Sequence, residues 1–198
     1  MFEAPVSDPV LTVLSRVANE SRKNLDFRCK SCVLTQERLM PRDFKVIVDG
    51  LQSDGALRDF RIRATNRLDW HAVLRQSRIN REANRFTVDS EPRGLPQTFE
   101  VIEHLRQQAS LCWNVLVAGA DVNCHFFCEK QIEFDFRPED YGTPERWSEL
   151  CAFFQEIIDV VGKSGVVTHE HAEDDVIDRF EPRTKDEKSL EKSPCLDK

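Results

Sequence analysis

At 198 residues, 40% hydrophobic and 32% charged, the chain has the size and balance of one compact domain with a short arm at each end. Its net charge of −7 is uneven: residues 1–97 carry 17 Lys+Arg against 13 Asp+Glu, and residues 98–198 carry 11 against 22. This distribution disfavours a general nucleic-acid binder, which needs a dominant basic face, and suits an acidic face that docks on something basic. No run approaches the roughly 18 apolar residues of a spanning helix, so no membrane contact is expected. The start MFEAPVSDPV lacks the basic and apolar regions of a signal peptide, and a cytoplasmic location is expected. Seven cysteines without an export signal read as free thiols.

In chain order, SDPVLTVLSRVANE predicts a first helix, with Ser7 or Asp8 as cap, Pro9 at the first helical position, and Val10, Val13, Leu14 and Val17 on one face. A polar passage holding CKSC follows, and FKVIVDG reads as a short strand closed by a turn. LRDFRIRATNRLDWHAVLRQ predicts a strand, with Phe60 and Ile62 inward and Arg61 and Arg63 outward. A helix follows that carries Leu68, Val73 and Leu74 and is anchored by Trp70. The passage to Pro96 holds one short strand, RFTV, and is where a mobile or functional loop would sit.

TFEVIEHLRQQAS predicts a helix capped by Thr98, with Phe99, Ile102, Leu105 and Ala109 along one stripe, and LCWNVLVAG a buried strand. GTPERWSELCAFFQEIIDVVGKSG gives the clearest helix. Thr143 caps it, Pro144 starts it, Trp147 to Val161 hold the helical spacing, and Gly162 or Gly165 stops it. GVVTHE is the last predicted strand and leads into an acidic segment. Beyond Glu181 the charged tail has almost nothing to bury and is expected to be disordered. The expected organisation is an N-terminal helix and connector over 1–44, a core domain over 45–180 and a tail over 181–198.

Between them, CHFFCEKQIEFDFRPEDY packs two cysteines, a histidine, five carboxylates and five aromatic rings into residues 124–141. A zinc site would pair Cys29 and Cys32 with Cys124, His125 and Cys128. If 124–128 is a strand, however, Cys124 and Cys128 stand about 13 Å apart and cannot chelate one ion. CKSC does not sit between a strand and a helix, which is where a redox CxxC belongs. In strand geometry Glu133 and Asp135 share one face while Ile132, Phe134 and Phe136 share the other. Glu133 and Asp135 then form an exposed acidic strip, with Glu129, Glu139 and Asp140 nearby. Glu170, Glu173, Asp174 and Asp175 make a possible second patch. His169 and His171 share a face if their strand continues, which with Asp174 gives an alternative metal set. No phosphate-binding glycine loop and no nucleophile elbow is present, so a nucleotide-dependent enzyme is not expected.

An arginine-bearing strand leading to Asp69-Trp70 and a helix, then HFFCEKQIEFDFRPEDY, a long amphipathic helix and a closing VVTHE span residues 45–178. That order resembles the small cytosolic α+β proteins of bacteria grouped among polymorphic-toxin immunity proteins. The resemblance implies a non-enzymatic protein that binds and blocks a cognate toxin. On charge grounds its partner-binding residues are Glu129, Glu133, Asp135, Glu139 and Asp140, then Glu170, Glu173, Asp174 and Asp175, with no cofactor. The alternative is a small metal-dependent enzyme using His169, His171 and nearby carboxylates. The expected fold is two-layer α+β, a mainly antiparallel sheet with helices on one face, and a core of Trp147, Phe154, Ile158, Phe134, Phe136, Val115 and Val117.

Overall fold

Period-two alternation of apolar and polar residues builds most of this protein. The computed structural model describes residues 44–80 and 84–184. The expected first helix, Cys29 and Cys32, and the tail beyond residue 184 lie outside them. Eight strands are formed: β1 (Arg58–Arg63), β2 (Asn84–Val88), β3 (Glu91–Arg93), β4 (Leu111–Val117), β5 (Ala120–Cys124), β6 (Gln131–Phe136), β7 (Gly165–His169) and β8 (Ala172–Phe180). They make one sheet in the order β3-β2-β4-β5-β6-β1-β7-β8, every neighbouring pair antiparallel. The helices are α1 (Phe44–Ile47), α2 (Arg67–Asn80), α3 (Phe99–Arg106) and α4 (Pro144–Val161), with a 3-10 turn at Pro138–Tyr141. The fold is therefore the expected α+β arrangement.

One sheet face meets α2, α3 and α4 through aromatic rings. Phe60 of β1 stacks on Phe154 of α4 at 4.0 Å between centroids, Phe134 meets Phe153 edge-on, and Trp70 of α2 stacks on Phe99 of α3. All seven expected core residues are buried. Local signals set α4 as the sequence predicts: the Arg146 amide donates to Thr143 Oγ1, Pro144 opens the first turn, and Gly162 closes it at φ 70°. The β1–α2 and β6–α4 segments lie side by side, since β1 pairs with β6 and α2 packs on α4.

Four expectations need correction. FKVIVDG is not a strand: the Val48 amide donates to Phe44 O at 2.8 Å, closing a helical turn. The reason is that Phe44, Ile47 and Leu51, at helical spacing, are the residues that reach the core, whereas Val46 is exposed. Leu68 is not a core residue but 76% exposed, because α2 turns Trp70, Val73, Leu74 and Ser77 inward and Leu68 falls on the opposite side. β1 is not an exposed-arginine strand: Arg58 is 1% exposed and Arg61 6%, and of the three only Arg63 is exposed. Arg58 points to the helix side and ties down segment 50–57, donating to Gly50 O, Gln52 O and Leu57 O and pairing with Asp54. The acidic segment after GVVTHE is strand β8, at the sheet edge. In addition, RFTV continues through a turn at Asp89 and Ser90, both at positive φ, into β3, so this passage is a hairpin.

Gly165 starts β7 against Ile158 of α4 and Phe60 of β1. A Cβ there would stand 2.8 Å from Ile158 Cδ1 and 3.0 Å from Phe60 Cε2. Gly165→Ala should cost about 1–3 kcal/mol by overpacking, whereas Gly142→Ala, whose nearest neighbour would be 3.7 Å away, should change stability by less than about 0.5 kcal/mol. Urea denaturation of the two variants checks the contrast.

Candidate functional site

The strand residues that point away from the helices are mostly polar, and at the centre of the sheet they form a connected chain. On β1, Asp59 and Arg61 flank Phe60 and turn to this second face, and on β6 Glu133 and Asp135 do the same around Phe134. Arg61 lies between two carboxylates, with Nη2 at 2.5 Å from Asp59 Oδ2 and Nε at 3.3 Å from Glu133 Oε2. Gln131 also donates to Glu133. Asp135 accepts from Asn123 of β5 at 2.8 Å and lies 2.9 Å from His125 Nε2, and Asn123 accepts in turn from Asn114 of β4. Thr168 of β7, the register partner of Asp59, is fully buried on the same face.

Burial drives the Asp59 carboxyl up to about 6 against the pull of Arg61, with Glu133 and Asp135 adding to the rise. His125 is raised above its ordinary value, first by its hydrogen bond to Asp135, with burial acting the other way. Cys112, on the same face of β4, has its thiol pushed up by burial and by the nearby Asp135 and Asp121 carboxylates, the opposite of nucleophile activation.

This geometry corrects the acidic strip. Asp135 is 8% exposed and Glu133 half-buried, and both are engaged by neighbours, so neither presents a free charge to a partner. Glu129 is partly exposed and pairs with Arg67 at 3.3 Å, while its carbonyl accepts from Thr65 Oγ1 and Trp70 Nε1. Glu139 and Asp140 lie on the 3-10 turn beyond the other end of β6. Glu170 accepts the Leu57 amide at 2.9 Å. Asp174 and Asp175 are exposed on β8, in the stretch between the Thr168–Val176 and His169–Ala172 pairs where the register shifts; Glu173 belongs to the same stretch.

The histidine pair does not form. His169 ends β7 while His171 sits in the turn at φ 59°, so the two do not share a strand face. His169 Nε2 is 3.8 Å from Asp175 Oδ2. β5 ends at Cys124, so the strand reading of Cys124–Cys128 fails; Cys124 is buried and Cys128 exposed. Among the described residues no three His, Cys, Asp or Glu side chains gather as a metal set, and none of their helices is long and apolar enough to cross a membrane.

The sequence reading missed Asp59, Arg61, Asn114, Asn123 and His125 as a group. Its available signal was the opposite-charge pair Asp59/Arg61 alternating with Phe60 and Ile62, since outward partners of opposite sign on one strand are able to neutralise each other. Nothing in the sequence tied His125 to Asp135. No family model, curated protein or solved structure matches this chain.

Asp59 and His125 take up protons more readily in the folded protein than in the unfolded chain. For Asp59, raised from 3.8 to about 6, the stabilising contribution is complete below the unfolded value and is lost as pH rises through about 6. The raised His125 acts in the same direction, its contribution being complete below the unfolded value of 6.5 and lost as pH rises through the folded one. The Asp59 contribution is on the order of 1–3 kcal/mol. Denaturation midpoints should therefore fall between about pH 5 and pH 8, and Asp59→Asn should flatten that slope.

Proposed function

We propose that this chain is a non-enzymatic protein-binding domain of inhibitor type, which docks an acidic surface on a basic protein such as a toxin. The surface is the 3-10 turn and the first turns of α4: Glu139, Asp140, Glu145 and Glu149. The observation that carries the reading is that, among the described residues, none of these four carboxylates has an ion pair, in contrast to Glu133 and Asp135. Arg146, the nearest cation on the helix, donates to the Asp140 carbonyl rather than to a carboxylate. Glu145 and Glu149 are four residues apart on one helix, a like-charge pair that costs the helix a few tenths of a kcal/mol. Their repulsion does nothing for the fold and is relieved by a basic partner.

The support under this surface is firm. The Tyr141 hydroxyl donates to Val117 O at 3.1 Å and meets Ala120 O at 3.4 Å, stapling the 3-10 turn to the β4–β5 hairpin. Beside it an open groove of about 900 Å³ is lined by Leu57, Leu116, Ala120, Asp121, Arg137 and Asp140 among others. Leu116 is an exposed apolar side chain among the charged and polar groups Arg85, Asp121, Asn123, Arg137 and Asp140 that line the groove, and exposed apolar area rimmed by polar residues suits protein binding.

With a cationic probe protein in calorimetry, affinity should weaken as salt rises, because rim charges are screened over about 8 Å at physiological ionic strength. Glu145→Lys combined with Glu149→Lys should weaken binding at least about tenfold, a change of roughly 1.4 kcal/mol, and leave the denaturation midpoint within its ordinary range. Unchanged affinity in the double variant removes this surface from consideration.

A further inference from the structure

The loop between β5 and β6 holds one phenylalanine inside the protein and turns the next one out. Phe126 adopts φ 56°, a strained value for a non-glycine residue, and is buried between Trp70, Trp113 and Phe86. Phe127 is 59% exposed. The loop backbone is fixed at several points: Arg106 of α3 donates to Phe126 O and Phe127 O, Trp70 and Thr65 to Glu129 O, and the Thr65 amide to Lys130 O. The Phe127 ring, by contrast, has a single aromatic neighbour among the described residues, the imidazole of His125, at 5.6 Å and an interplanar angle of 27°. The same imidazole meets Asp135 through Nε2 at 2.9 Å.

We propose that His125 is a proton-operated latch on Phe127: protonated, it binds Asp135 and fixes the exposed ring, and deprotonated it lets that ring move. Both contacts of the imidazole strengthen with positive charge. The carboxylate becomes an ion-pair partner as well as a hydrogen-bond partner, and the Phe127 ring offers its π face to a cation. The second half of the contact is already in place, because Asn123 donates to the other Asp135 oxygen and holds the carboxylate still. The charged and titratable groups around the latch are Asp135 and Glu133 on β6, Asp59 and Arg61 on β1 behind them, Cys112 on β4, and Arg106 at the loop carbonyls. The upward displacement of His125 agrees with a partner that favours its charged form. The latch rests on none of the α4 carboxylates and stands or falls apart from the docking surface.

The test is an NMR titration of the full chain from about pH 5 to pH 8, the range in which histidine changes charge, following the His125 and Phe127 ring signals. The two residues should titrate together, with a midpoint above about 6.5. In His125→Gln the Phe127 signals should lose their pH dependence over that range. In Asp135→Asn the His125 midpoint should fall, and in Phe127→Leu it should fall by less while the fold is kept. Phe127 signals that stay flat through the His125 transition overturn the latch, as does a His125 midpoint that Asp135→Asn leaves in place.

Discussion

Among the described residues, helices cover one side only of the eight antiparallel strands, the second side is solved with polar atoms, and that constraint organises the rest of the domain. On the helix side the solution is aromatic: Phe60 stacks on Phe154, and Phe134, Phe136 and Trp147 meet them or each other at tilted angles within one cluster. On the other side it is electrostatic. Asp59, Arg61, Glu133 and Asp135 are neighbours across β1 and β6, and their mutual pairing lets charged groups at a sheet centre be largely withdrawn from water. Buried ion pairs recover their desolvation cost only when geometry and hydrogen bonding are both good. Here three carboxylates face one guanidinium and one imidazole, and Asp59 is held up to about 6, first by burial and then by the neighbouring negative charges of Glu133 and Asp135. The sheet centre therefore shows its strain in the raised proton affinity of Asp59 and in the buried Thr168 hydroxyl, which makes no hydrogen bond.

The aromatic side fixes positions that the polar side uses. Because Phe60 stacks flat on Phe154, β1 and α4 are held close enough that only glycine fits at 165, and the start of β7 is drawn in with them. α4 is then set at both ends by Thr143 and Gly162. Its solvent side projects Glu145 and Glu149 from a helix that cannot easily shift. A charged surface on a rigid element loses little entropy when a partner arrives, which is the general advantage of a preorganised site.

The elements that were legible in the sequence are those whose signals are local. α4 carries a cap, a proline, an apolar stripe and a terminal glycine within one stretch, β4 is a mostly apolar run, and β6 alternates Ile132, Phe134 and Phe136 with polar residues. Segments with conflicting or weak local signals were misread. FKVIVDG has the composition of a strand, but tertiary burial of Phe44, Ile47 and Leu51 selects a helical turn. β8 has too few apolar residues to announce itself, and pairing with β7 supplies what its side chains do not. For the site, the sequence placed Glu133 and Asp135 correctly on the face opposite Phe134 but not their exposure. Exposure depends on Arg61, Asn123 and His125, which lie 72, 12 and 10 positions away from Glu133 or Asp135 and meet them only once the sheet is assembled.

The remaining acidic residues are sorted by asking what the fold itself gains from each. At one sheet edge β3 is three residues long, Glu91-Pro92-Arg93, all exposed, and a short edge strand bearing proline and charges resists pairing with another chain. At the opposite edge the register of β8 shifts beside β7 where Asp174 and Asp175 stand exposed, and bulges and charge blunt an edge in the same way. The negative charge of β8 thus has an account in folding and solubility. Glu170 secures the Leu57 amide and Glu129 pairs with Arg67, so these too are engaged within the domain. Glu139, Asp140, Glu145 and Glu149 are at neither edge and have no ion pair among the described residues. A favourable dipole at the start of α4 accounts for Glu145 but not for Glu149 one turn further on. The charge left over once folding has been served is concentrated on that turn and the start of α4, of which Asp140 also lines the Leu116 groove, and this is the physical ground for reading that corner as the one that meets a partner.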